Sequence, residues 1–423
     1  MSSAINERTG PAWRSYILLV GWAIIIFLTI PLARAIESFF VTYFGKGFFG
    51  YFVISAVVAA LGLSILRIKR FLALKLSVVN YLWLTGIAGV YIYYTIKLWE
   101  QPIEATHFLQ YGVLSYFAFN ALRHHVSDNT IYLSSLMIVL LIGTLDEVIQ
   151  WMVPERYWDI RDVWFNFLSG LLLQLAIFKG TRPGGITSGI DPFSFRILSI
   201  LVVLSAVLLG LCASNTPARI AYYSSRISSL SFLASNHAMM SEYGFQHRDP
   251  DVATFYSRYR KQRLLAIDNQ KNRNYSEILN SWGTKEYEEF LSKFNPISNA
   301  FLHEMRVHLF RRDTHLSRAQ AEKRPVKRKA YFTIAYKENL ILEKYFGKTL
   351  GRTVYYWDQN TRDAVKAESD PEADYQSPVS SNLFTSFTEK QLWALVGGIA
   401  CALLLVNIWM SVRGGRKSVG RQT

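Results

Sequence analysis

Three short stretches of an otherwise apolar chain carry residue types suited to acid–base and recognition chemistry. The first reads Glu104-Ala-Thr-His107-Phe-Leu-Gln-Tyr111. On a helix, Glu104, His107 and Tyr111 share one face, because residues three and four apart are neighbours. The second reads Gly143-Thr-Leu-Asp146-Glu147-Val-Ile-Gln150, with Asp146 and Gln150 one turn apart and Glu147 beside them. The third, Glu155-Arg156-Tyr-Trp-Asp159-Ile-Arg161-Asp162, continues in steps of four through Asn166 to Gly170. Carboxylates next to an imidazole suit proton transfer, with Glu147 or Asp146 as general base and His107 as acid. A guanidinium such as Arg156 grips phosphate or carboxylate as a planar fork. Glu104, Tyr111, Gln150, Asp159, Asp162 and Asn166 would hold and orient the same ligand.

Each of these residues also fits a role in holding the fold. Asp159 and Asp162 suit the start of a helix, where carboxylates accept from exposed backbone amides. Arg156 with Asp146 or Glu147 would make a buried ion pair that fixes helix packing. His107 would serve as a hydrogen-bonded packing residue. For Asn166 and Gly170, packing is the better reading, since small and amide residues join membrane helices. The convergence of so many costly groups on one face favours function for the set as a whole.

The elements that position these groups are membrane helices. Only 18% of the 423 residues are charged, 51% are hydrophobic, and long windows carry almost no charge. A soluble protein carries roughly 25% charged residues. Apolar runs near 13–36, 47–66, 77–99, 106–122, 131–153, 163–178, 195–213 and 392–412 give about eight spans, each about 20 residues being needed to cross the hydrocarbon core. The fourth and sixth runs are short, with polar ends that suit the lining of a wet cavity. The predicted class is an all-α polytopic membrane protein with an α+β extracytoplasmic domain between the last two spans.

Lysine and arginine set the orientation. With a cytoplasmic N-terminus, the inside loops hold Arg8, Arg14, Arg67, Lys69, Arg70, Lys75, Arg123, Lys179, Arg182, Arg413, Arg416, Lys417 and Arg421, against Lys46, Lys97, Arg156 and Arg161 in the short outside loops. That asymmetry places both termini in the cytoplasm. It also brings Glu104, Asp146 and Asp162 to one outer membrane face. Ala33-Arg34-Ala35 resembles a leader-cleavage site, but the apolar run is long for one, so an uncleaved anchor is expected. In the loop between the last two spans, 218–320 reads mostly helical, on spacings such as Ile278, Trp282, Phe290 and Phe294. The aromatic and β-branched stretches 329–336 and 352–357 read as strands. The polar stretch 358–381 reads as a linker.

The three stretches together, His107-Phe-xx-Tyr111, Asp146-Glu147-xx-Gln150 and Pro154-x-Arg156-xx-Asp159-xx-Asp162-xxx-Asn166-xxx-Gly170, resemble the VanZ-like membrane domain over roughly 77–180. That family is named for a protein associated with resistance to the glycopeptide antibiotic teicoplanin. The resemblance implies four helices, an envelope membrane protein of the bacterial inner membrane, and a link to glycopeptide resistance. It implies no particular reaction. Glu104 stands where many members have lysine, so no lysine-based role carries over. The expected organisation is N-terminal spans over 1–76, a VanZ-like domain over 77–180, a seventh span over 181–213, a soluble domain over 214–390, and a last span with a basic tail over 391–423.

Other signals are weaker. His303-Glu304-Met-Arg-Val-His308 has its histidines five apart, about 140° around a helix, so they do not share a metal-facing side. No metal site and no cofactor is expected, since Walker and dinucleotide loops and a GxSxG elbow are missing from the sequence. His124 and His125 read as cytoplasmic loop residues. The net charge of +15 and the basic run from Lys323 to Lys329 suit anionic lipid or glycan, and no nucleic acid is expected as partner. The two cysteines, Cys212 and Cys401, lie in apolar runs, so no disulfide joins the soluble part. Three functions remain open: a non-catalytic binder of a lipid-linked envelope precursor or glycan, an enzyme acting on such a precursor, and a proton-coupled transporter. Membrane lipids are expected partners, and other envelope proteins would meet residues 214–390.

Overall fold

The computed structural model describes residues 11–68, 77–99, 102–153, 156–235, 239, 241–283 and 286–419. The chain divides into two compact units, Met1–Leu211 with Trp393–Thr423, and Cys212–Leu392. The protein is mostly helical.

The first unit holds α1 (Ala12–Phe44), α2 (Phe48–Arg67), α3 (Val78–Lys97), α4 (Pro102–Leu122), α5 (Thr130–Met152), α6 (Ile160–Leu175), most of α7 (Pro192–Ser214) and most of α15 (Glu389–Val419). Six stretches are long and apolar enough to cross a membrane: Ala12–Phe44, Phe48–Leu66, Thr130–Met152, Ile160–Thr181, Pro192–Ser214 and Glu389–Arg413. Helices α3 and α4 occupy the third and fourth expected spans and are not among those six.

Local chemistry starts several of these helices. Ser77 and Asn80 form a reciprocal cap at the head of α3. Asp128 accepts from Thr130 N at 2.8 Å before α5, and Asp159 accepts from Arg161 N at 2.8 Å before α6. Helix α6 ends in a wider π-helical turn, Ala176–Thr181. Helix α4 packs against α1, α5 and α6, and its buried polar groups are tied to α6: Ser115 Oγ donates to Gly170 O at 3.1 Å, and Gln174 Nε2 donates to Ser115 Oγ at 2.8 Å. Gly170 lets α6 approach α5, since a Cβ there would lie 2.9 Å from Val139 Cγ1. Gly170→Ala should therefore cost about 1–3 kcal/mol through overpacking. A lower melting temperature in detergent, restored by adding Val139→Ala, is the expected result. An unchanged melt would remove this contact from the account.

The second unit is built from α8 (Pro217–Ser224), a 3-10 turn (Ser228–Ser235), a hairpin of β1 (Phe245–Asp249) and β2 (Ala253–Ser257), then α9 (Lys261–Asn280), α10 (Tyr287–Lys293), α11 (Pro296–Ala321), α12 (Pro325–Tyr345), α13 (Gly347–Leu350) and α14 (Gln359–Glu368). The strands are antiparallel, with Phe245 opposite Ser257 and Asp249 opposite Ala253. Helices α11 and α12 pack together, and Phe255, Phe290, Phe301, Met305, Leu342 and Phe346 fill the core between them and the hairpin.

Here two expectations are corrected. The stretch 329–336 is helical, lying inside α12, and 352–357 is turn and loop. Pro325 opens α12 at a position where its missing N–H costs nothing. The periodic burial of Phe332, Ala335, Ile341, Leu342 and Tyr345 then overrides the strand preference of the aromatic residues. The stretch 358–381 is also more than a linker. Asp358 accepts from Thr361 N at 2.7 Å and starts α14. Beyond α14, Thr254 N donates to Tyr375 O at 2.9 Å and Ser377 N donates to Thr254 O at 2.8 Å, which ties this segment to β2.

Candidate functional site

The N-terminal end of α4, the C-terminal end of α5 and the N-terminal end of α6 meet in the first unit. Gln150, fully inside the bundle, is the hub: its Nε2 donates to Glu147 Oε1 at 2.9 Å and to Asp146 Oδ2 at 3.3 Å. Its Oε1 accepts from Arg156 Nη2. The turn between α5 and α6 folds back onto the same group, with Asp159 N donating to Glu147 Oε2 at 3.4 Å. Asp159 itself is gripped by Arg161, whose Nε lies 2.8 Å from Oδ2. From α4, His107 Nδ1 stands 3.8 Å from Asp146 Oδ2, and its side chain is 21% exposed against none for Asp146. Asp162 lies in the electrostatic reach of Glu104, His107 and Glu147, and Glu104 in that of Arg161.

Deeper in the bundle, Tyr111 and Asn166 face each other across Gly143, where a Cβ would fall 3.3 Å from Tyr111 Cε1 and 3.1 Å from Asn166 Cβ. The Tyr111 hydroxyl neighbours Asp146. Tyr111 OH, Asp146 Oδ1 and Asn166 Nδ2 are all buried, and none of them closes a well-formed hydrogen bond. A buried polar atom left unpaired costs about 1–3 kcal/mol. Tyr111 and Asp146 stand close enough to interact with one another, and Asn166 lies across Gly143 from Tyr111.

All ten residues singled out in the sequence thus surround one cluster: Glu104, His107, Tyr111, Asp146, Glu147, Gln150, Arg156, Asp159, Asp162 and Asn166. Gly170 lies further along α6 in a packing contact. Two residues of this neighbourhood were passed over in the sequence. Gly143 makes room between Tyr111 and Asn166, and Trp158 is buried in the turn with its Nε1 unpaired. A glycine four residues after Val139 and three before Asp146 was the available signal for the first. Nothing in the local pattern distinguished Trp158 from an interfacial tryptophan.

Other motifs separate. His303 Nδ1 lies 3.1 Å from Phe294 O, whereas His308 Nδ1 lies 2.6 Å from Glu338 Oε2, so the two histidines serve different partners. His124 Nε2 lies 3.1 Å from Ser15 Oγ at the head of α1. In the basic run, Arg324, Arg328 and Lys329 pair with Glu322, Glu368 and Asp370.

Residues 15–179 match the VanZ/LLP1 family. This part of the chain is VanZ-like. The match opens near the start of α1 and closes in the π-helical turn, so it takes in α1 and α2 as well as the helices that carry the cluster. No curated protein and no solved structure matches the chain. The VanZ-like region contains the whole polar cluster, and the chain as a whole is a membrane protein with several apolar helices.

Proposed function

We propose that the VanZ-like region binds the polar or anionic headgroup of a lipid-linked envelope component at the outer face of the bacterial inner membrane, and that this binding contributes to glycopeptide resistance. The observation that carries the reading is the set of unpaired buried atoms, Tyr111 OH, Asp146 Oδ1 and Asn166 Nδ2, next to the Glu147–Gln150–Arg156 chain. The carboxylates outnumber the guanidinium groups. A ligand that directs hydroxyl or amide donors at Asp146 and Glu147 and an anion at Arg156 suits this mixture. In this reading α3 and α4 cross the membrane together with the six apolar stretches, both termini are cytoplasmic, and residues 214–390 lie outside, where they meet other envelope proteins.

The topology has a direct check. In a background lacking Cys212 and Cys401, a cysteine at position 283 should react with an impermeant maleimide in intact spheroplasts, and one at position 418 should not. The reverse pattern, or labelling at both positions, would overturn the orientation.

A second reading, acid–base catalysis on the bound precursor, is favoured by the 3.8 Å approach of the His107 imidazole to Asp146. His107→Gln keeps a hydrogen-bonding side chain and cannot carry a proton on a ring nitrogen. If His107 transfers protons, the variant melts like the wild type and confers no resistance at any pH. A stable variant that still confers resistance leaves binding alone.

A further inference from the structure

The stretch 215–241, which follows α7, carries only two charged side chains, Arg219 and Arg226, and no aspartate or glutamate. A water-facing chain carries roughly 25% charged residues, so this stretch is poor in charge for a surface. Yet part of it faces outward. Helix α8 and the 3-10 turn pack on α11, with Ile220, Ser224 and Leu233 buried. Tyr222 stands about 200° round the helix from Ile220 and is 61% exposed. Ile227, just past α8, and Phe232, in the turn, are exposed as well. Arg226 lies over the Tyr222 ring, 3.8 Å from its centroid, and donates to Tyr222 O at 3.2 Å.

Hydrogen bonds fix where this helix lies. Arg219 Nη1 donates to Ser214 O, at the end of α7, and to Glu389 Oε1 at 2.5 Å, at the start of α15. Tyr223 OH donates to Asn215 Oδ1 at 3.2 Å. Both α7 and the first 25 residues of α15 are long and apolar enough to cross a membrane. A membrane that holds them has its surface at these two helix ends, and α8 is only about 12 Å long. Tyrosine suits that surface because its ring is apolar and its hydroxyl is wet. An arginine beside it covers apolar surface with its stem and keeps its head in water. A short helix with these features lies in the membrane plane, its apolar side chains about 5–10 Å into the boundary between headgroups and acyl chains. We propose that α8 and the 3-10 turn form an interfacial anchor, bound to the lipid surface through Tyr222, Ile227 and Phe232. It gives the second unit a lipid contact beyond its two covalent tethers. The anchor requires α7 and α15 to span the membrane. It is independent of the polar cluster and of which side of the membrane residues 214–390 occupy.

The test uses the full chain in phosphatidylcholine nanodiscs. In the wild type, a phosphatidylcholine with a photoactivatable group beside its glycerol backbone should label 217–235. The same lipid with the group at its acyl terminus should label that stretch about tenfold less, as expected of a helix that lies on the membrane and does not cross it. No labelling of 217–235 by the first probe overturns the anchor, and so does equal labelling by both. Nitroxide labels on Tyr222→Cys, Ile227→Cys and Phe232→Cys, in a background lacking Cys212 and Cys401, then resolve the individual side chains. Collisions with oxygen, which enters the bilayer, should outweigh collisions with a water-soluble nickel chelate at all three positions, as they should for Leu405→Cys in α15. Dominant collisions with the chelate would place these side chains in water and overturn the proposal. Poor access to both would show them covered by protein, whether of this chain or of a second copy, and would overturn it equally. If the substituted chains do not fold, the wild-type labelling decides alone.

Discussion

Replacing Arg156 with lysine, or Glu147 with glutamine, should abolish the resistance phenotype while leaving membrane levels of the protein near those of the wild type. Lysine keeps the positive charge of Arg156 but loses the planar pair of donors. Hydrogen bonds to charged groups contribute about 1.5–3 kcal/mol each, so losing one arm of the fork weakens binding by about tenfold to a hundredfold. Lysine must also give up the contact to Gln150 Oε1, which holds the hub amide in the orientation that serves Asp146 and Glu147. Glu147→Gln removes one of the closely grouped carboxylates and sets an amide donor against the Asp159 N–H, which now points at Glu147 Oε2 from 3.4 Å. The check is teicoplanin sensitivity of cells expressing each variant, with membrane abundance measured alongside. Full resistance from Arg156→Lys would mean that a bare positive charge suffices. Disappearance of either protein from the membrane would assign the residue to packing.

The largest effect expected on stability lies in the second unit, at Glu338. Its carboxylate is fully buried and accepts from Arg311 Nε at 3.0 Å, Tyr375 OH at 2.6 Å and Ser377 Oγ at 2.8 Å, while His308 Nδ1 lies 2.6 Å from Oε2. Removing one member of such a network strands the others without water, and costs about 3–5 kcal/mol. For a unit of this size that is a fall of about 6–20 °C in melting temperature for Glu338→Ala. Burial pushes the Glu338 carboxyl up, but His308 and the hydroxyls of Tyr375 and Ser377 outweigh it and hold the group below its ordinary value. A depressed carboxylate stabilises fully above its unfolded pKa of about 4.3 and loses that contribution as pH falls through the folded value. The wild type should therefore melt at a steady temperature above about pH 4.3 and earlier below it, and Glu338→Gln should lack part of that acid-side fall. Amide hydrogen exchange in α11 and α12 of the full chain reads the effect. An Ala variant that protects these helices as well as the wild type would contradict it.

The two units differed in how much of them could be read from sequence. In the VanZ-like region the apolar runs are long and the polar residues few, so helices, their order and the meeting of Glu104, Asp146 and Asp162 at one end follow from length and spacing. What spacing does not carry is the internal wiring: the role of Gln150 as hub, the unpaired Tyr111, Asp146 and Asn166 atoms, and the room made at Gly143 all depend on how α4, α5 and α6 rotate against one another. In the second unit, local preference misled. Aromatic and β-branched residues over 329–336 favour strand alone, yet Phe332 and Ala335, three apart on α12, are buried with Ala319 of α11, Trp357 and Val365. Of the true strands, Phe245–Asp249 has one apolar residue and includes His247, Arg248 and Asp249, while Ala253–Ser257 is short and almost wholly buried, so neither shows an apolar–polar alternation in its residue types. The segment after Asp358 looked like a linker because its anchoring to β2 runs through backbone groups.

The measurement closest to the central claim is a structure of the full chain purified from its own membrane into nanodiscs, at a resolution that reveals ligand groups between α4, α5 and α6. The account predicts a non-protein molecule with donors on Asp146 Oδ1 and Glu147, an anionic group at Arg156, and polar atoms within hydrogen-bond distance of Tyr111 OH and Asn166 Nδ2. A cluster in which Tyr111, Asp146 and Asn166 simply pair with one another, with no molecule beside Arg156, would contradict it.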